Sequence, residues 1–174
     1  MNGSPFSDWA NFYIMTGGAS AALTGLVFVV ITLVAGRRND GITGEGTSIF
    51  SSPTVVLFAA AFFISCVGVV PWHRPSVPAF VIGFAGLFGV VMSLGVLVRA
   101  RRLTVYQPDG SDFIWFTILP IITYLVEALA GFLLPIFPVA AAFLLAAATV
   151  AIIFVGIHNA WDVITYLAID RADS

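Results

Sequence analysis

The sequence predicts an all-α fold: a polytopic transmembrane bundle of five helices, forming one domain over residues 1–174, with its N-terminus outside and its C-terminus inside the cell. Three observations predict it. Hydrophobic residues make up 60% of the chain and charged residues only 9%, against about a quarter charged in ordinary soluble domains. A soluble fold of this length exposes too much surface to hide so much apolar material. Five apolar runs reach the ~17 residues that a helix needs to cross a hydrocarbon core. Threading those five runs also sorts the arginines and tryptophans by side, as a membrane requires.

The first run covers about 12–35 and is closed by Gly36-Arg37-Arg38. Ser4 followed by Pro5 resembles a helix cap with proline in the first helical position, so a short interfacial turn is expected before it. A polar, glycine-rich loop is expected over 39–52. The second run, 54–70, is the shortest and lies between Pro53 and Pro71. The tight connection Pro71-Trp72-His73-Arg74-Pro75 leads to the third, 79–98, which Arg99, Arg101 and Arg102 close. A Pro-Asp-Gly turn follows at Pro108 to Gly110. The fourth, 113–134, contains Pro120, which interrupts the helix ladder. Only Pro135 to Pro138 separates it from the fifth, 139–157, whose helix is expected to continue to about 169. Such a short connection makes the fourth and fifth spans antiparallel neighbours. The second and third are tied in the same way.

All seven basic residues are arginine. With five spans, Arg37, Arg38, Arg99, Arg101, Arg102 and Arg171 share one side and Arg74 alone takes the other. The positive-inside rule then puts the N-terminus outside. Trp9 and Trp72 fall at the outer interface, and Trp115 and Trp161 at the inner one. Four spans would scatter both sets.

The net charge of −2 offers no basic footprint for nucleic acid. The bilayer is the expected partner. Two distant histidines and a single cysteine make no metal set, so neither metal nor cofactor is expected. Cys66, inside an apolar run, reads as a small buried packing residue. No HExxH, GxSxG, Walker A or dinucleotide pattern occurs, and no enzymatic activity is expected.

Helices in lipid associate through small residues that let backbones approach. Gly17, Ala21 and Gly25 share a four-residue spacing with Gly18 and Ala22 beside them; Ala85, Gly89 and Ser93 repeat it, and 140–151 is alanine-rich. These stripes either pack one protomer or face a second copy in a homo-oligomer.

Two polar groups stand at membrane depth. Glu127 lies 14 residues past Phe113, hence ~21 Å along the helix. An ionised carboxylate there costs about 2.5–3.5 kcal/mol on insertion scales, so it should be neutral or face water or a partner. Thr123 and Tyr124 share its helical face, and threading brings Ser20 and Ser65 to its depth as a candidate polar path. Near the inner interface, His158 and Asp162 stand four residues apart with Asn159 between them. With Arg37 and Arg99 at a similar height, they form a candidate inner-face network. Each group has two readings: a local hydrogen-bond lock, or part of an ion or proton route.

Several runs carry a resemblance: Asn11-Phe12-Tyr13, Ala22 to Leu33, Ser52 to Val56, Ile118-Leu119-Pro120, and above all Gly156-Ile157-His158-Asn159-Ala160-Trp161-Asp162. Together they resemble a family of small bacterial multi-pass membrane proteins to which no activity is attached. The resemblance covers most of the chain and implies a bacterial inner-membrane location. It also implies that relatives often carry histidine where this chain has Leu57. Two functions therefore stay open: an oligomeric channel or transporter-like protein for an ion or small solute, and a membrane scaffold whose arginine loops bind a protein or anionic lipid.

Overall fold

A computed structural model describes the backbone of residues 6–35, 45–102 and 113–169, and the side chains of 6–33, 53–98 and 113–165. The Ser4–Pro5 cap, the Pro108–Gly110 turn, Arg37, Arg38 and Arg171 lie outside the described residues, as do the side chains of Arg99, Arg101 and Arg102.

The described residues are helical throughout, apart from turns. A short 3₁₀ turn, Ser7–Trp9, leads into α1, Ala10–Ala35. Helix α2 is Glu45–Val69 and α3 is Ser76–Arg102. A π-helical turn, Ile114–Ile118, opens α4, Leu119–Leu133, and α5 runs unbroken over Pro138–Ile169.

Two local expectations are corrected. The loop expected up to residue 52 ends earlier, because α2 begins at Glu45 and continues through Pro53. An internal proline removes one ladder hydrogen bond without ending every helix, and α2 continues through it beyond its apolar part. At Pro120 the ladder is rearranged rather than only interrupted. The preceding turn widens, and the Leu119 N–H donates to the Ile114 carbonyl five residues back. Such π turns accommodate a register change in an otherwise continuous helix.

Helices α3 and α4 form the most extensive pair, followed by α1 with α2, α4 with α5 and α2 with α5. The bundle therefore runs α1, α2, α5, α4, α3. The α4–α5 neighbourhood follows its short connection. Helices α2 and α3 touch far less than their tie suggests, because glycines draw α3 onto α4. A Cβ on Gly86 would lie 2.5 Å from the Ala128 nitrogen. One on Gly89 would overlap the Tyr124 ring, and one on Gly131 would overlap the Gly83 nitrogen. Backbones this close gain dispersion contacts that bulkier residues would prevent.

The core has two parts. Near the α2–α3 and α4–α5 turns, Phe6, Tyr13, Ile64, Val67, Ile82, Ala130, Leu134 and Leu145 pack together, with Trp9 and Trp72 against them. Towards the other end, Leu57, Ala61, Tyr124, Ile152 and Val155 form a second cluster beside Trp115. Trp161 is exposed on the same part of α5. The tryptophans thus divide two and two between the ends.

Four stretches are long and apolar enough to cross a membrane: Ser7–Leu33, Ser76–Val98, Ile114–Leu133 and Pro138–Thr165. The described apolar part of α2, Pro53–Val69, is shorter. Large side chains such as Phe28, Phe88 and Phe154 point outward. A surface of this kind is consistent with an integral membrane protein. Cys66, expected inside, is exposed on α2. Its neighbour Ser65 takes the face towards α1, which turns Cys66 away.

Candidate functional site

One pair of hydroxyl groups joins α1 to α2. Thr16 Oγ1 and Ser65 Oγ lie 2.9 Å apart across the helix pair, where Gly17 leaves room: a Cβ there would come within 3.0 Å of the Ser65 Cβ. Ser65 also donates to the Ala61 carbonyl at 2.7 Å, and Ser20 donates to the Thr16 carbonyl at 2.8 Å. Short hydroxyls reach the carbonyl of the preceding turn. Thr123 does the same on α4, with its Oγ1 within 3.0 Å of the Leu119 carbonyl and 2.9 Å of the Pro120 carbonyl. These groups make few demands on anything beyond their own helix pair.

Glu127 and Tyr124 differ. The buried residues of α4 fall into two stripes. Tyr124, Ala128 and Gly131 meet the glycines of α3. Pro120, Thr123, Glu127 and Ala130 occupy the other stripe at three- and four-residue spacing. Ala130 joins the first core cluster with Ile64 of α2 and Leu145 of α5, so this stripe faces the bundle interior. Glu127 is 1% exposed. Its Oε2 and the Tyr124 hydroxyl have no hydrogen-bond partner among the described residues. A buried polar atom left in that condition costs about 1–3 kcal/mol. The site can therefore accept a hydrogen bond from, or exchange a proton with, a molecule entering the bundle.

Twelve residues separate Glu127 from Trp115, or ~18 Å of helix. At that far level the Trp115 and His158 rings stack, with centroids 3.7 Å apart and planes within 5°. His158 Nδ1 lies 3.1 Å from Asp162 Oδ2, and both side chains are about one third exposed, 34% and 35%. Nδ1 makes no directed hydrogen bond, so the contact is one of proximity rather than of alignment. Asn159 is fully buried, and neither polar atom of its amide has a partner among the described residues.

Of the residues proposed from sequence, Glu127, Tyr124 and Thr123 share one buried stretch of α4. Ser20 and Ser65 are buried too, but their recorded bonds stay within α1 and α2. His158, Asn159 and Asp162 share one turn of α5. Arg37 and the Arg99 side chain, expected beside them, lie outside the described residues. Sequence reading passed over Trp115 as a ring partner, although its place in the aromatic belt put it at His158's height. It also passed over Thr54, whose buried hydroxyl is unpaired among the described residues. Comparison of the chain with protein-family models, curated proteins and solved structures finds no match in any of the three.

Proposed function

We propose that the chain is a five-span bacterial inner-membrane protein, N-terminus outside, that assembles as a homo-oligomer. Its role is that of a channel or transporter-like protein for an ion or small solute. The single observation that carries this reading is the Glu127 carboxyl, sheltered on the interior stripe of α4 with its Oε2 unpaired among the described residues. An intramembrane acid is expensive to keep and is by default a functional group.

Support for α2 as a fifth span comes from its contacts. Gly68 meets Tyr13 near one end of the bundle and Phe58 meets Gly156 towards the other, so α2 covers the same depth as its neighbours. The arginine distribution favours the orientation, and the resemblance noted above favours the location. Assembly is supported by α1, where Gly18 and Gly25 face open space rather than another helix of the protomer. The Leu57, Ile152 and Val155 side chains lie between the Glu127 level and the His158 level, and in this reading they close the path.

Reconstituted liposomes test the function. The proposal expects ion or solute flux from the unaltered protein and its loss in Glu127→Gln. Flux no greater than that of empty liposomes, across protons, alkali cations and small anions, would favour a scaffold role instead.

A further inference from the structure

Thr54 and Asn159 stand apart from the Glu127 site. The contact between Phe58 and Gly156 sets α2 on α5, since a Cβ on Gly156 would lie 2.6 Å from Phe58 Cε1. The two helices run antiparallel. One turn from this contact, away from the α4–α5 turn, α2 reaches back to Thr54 and α5 runs on to Asn159. Both residues therefore arrive at one height on facing flanks. Both are buried. Unlike Thr16, Ser20, Ser65, Ser93, Thr123 and Thr149, the Thr54 hydroxyl does not bond back to its own helix. With the two atoms of the Asn159 amide, it makes three buried polar atoms at this height that have no partner among the described residues.

A packed interior rarely keeps such atoms dry, and buried waters typically satisfy about three polar groups each. The chemistry fits water closely. The Asn159 amide offers one acceptor and a donor group, and the Thr54 hydroxyl offers both roles. Neither of these two side chains carries charge. We propose that Thr54 and Asn159 together hold an ordered internal water between α2 and α5. This water is the inner station of the Glu127 path, an assignment that rests on the transport reading, and the Leu57, Ile152 and Val155 layer separates the two.

Thermal melting of Thr54→Val, Asn159→Leu and the double variant in one detergent tests the site. If the two residues share a water, each single substitution lowers the melting temperature, and the double lowers it by less than the sum, because the second change finds the water already lost. A melting temperature unchanged or raised in Thr54→Val, or strictly additive losses, would overturn the proposal. Should Asn159→Leu fail to fold, an experimental structure of the unaltered chain that resolves waters decides the matter. An oxygen peak within hydrogen-bond distance of both residues supports the site; an empty gap, or an Asn159 amide bonded to protein, overturns it. Neither readout involves flux, so a failure of the transport reading is distinguishable from a failure of the water site.

Discussion

The His158 imidazole lies flat on the Trp115 indole, with centroids 3.7 Å apart and planes within 5° of parallel. This pair joins the π turn before α4 to the last turns of α5, at the end of the bundle opposite the short turns. It also restrains the imidazole whose Nδ1 sits beside Asp162. The local geometry of the GIHNAWD segment thus depends on a residue 43 positions earlier in the chain.

Removing the indole should loosen that end. Trp115→Ala is expected to destabilise the protein by about 2–4 kcal/mol, through lost burial and lost stacking. Trp115→Phe, which keeps an aromatic face, should lose less than half of that. Thermal or denaturant melting in a single detergent checks both.

Glycines on the two sides of the bundle should respond oppositely. Gly131→Ala forces a methyl onto the Gly83 backbone, which cannot rotate aside, and should cost about 1–3 kcal/mol. Gly25→Ala meets nothing within 4 Å and should leave the protomer unchanged or gain up to about 1 kcal/mol from helix propensity. Equal losses in the two melts would contradict the α3–α4 contact.

The Thr16–Ser65 pair is suited to a double-mutant cycle. Thr16→Ala and Ser65→Ala should each be mildly destabilising, with a coupling energy of about 0.6 kcal/mol, the usual worth of a hydrogen bond between membrane helices. Ser65→Val should cost more than Ser65→Ala, because its second methyl is driven against Gly17. A coupling indistinguishable from zero would mean that the pair does not form in the bilayer.

Opening the apolar layer should raise flux. Leu57 is 2% exposed and Ile152 fully buried, and neither offers water a partner. Leu57→Ser is expected to increase flux in liposomes severalfold, and Leu57→Met, which keeps volume and apolarity, to leave it unchanged. An identical rate in all three proteins would remove this layer as the barrier.

The helices were legible because proline, glycine and arginine punctuate the apolar runs: Pro71 and Pro138 fall at or beside observed ends. Pro53 misled, since it marks the limit of the described apolar stretch while α2 continues through it from Glu45. The close α3–α4 pairing was only half legible. Gly89 was read as a contact residue, but the partners Gly83, Gly86 and Gly131 emerge only when two helices are docked. The same holds for the polar groups. Position along a helix follows from counting, so the sequence puts Glu127 on α4 and Ser65 on α2, and both are buried. Which flank each presents depends on helix rotation, and that rotation gives Ser65 to Thr16. Whether a buried group is satisfied is legible only in three dimensions, which is why Thr54 escaped notice while the neighbouring Leu57 drew attention.

Selective labelling of thiols in lipid nanodiscs bears most directly on how Glu127 is housed. In a Cys66→Ser background, Glu127→Cys and Leu129→Cys would each be exposed to a lipid-soluble maleimide, and adducts counted by mass spectrometry. Leu129 is 52% exposed on the outer flank of the same helix. The account predicts rapid labelling at position 129 and almost none at 127. Equal labelling at both would put the carboxyl against acyl chains and contradict the interior site.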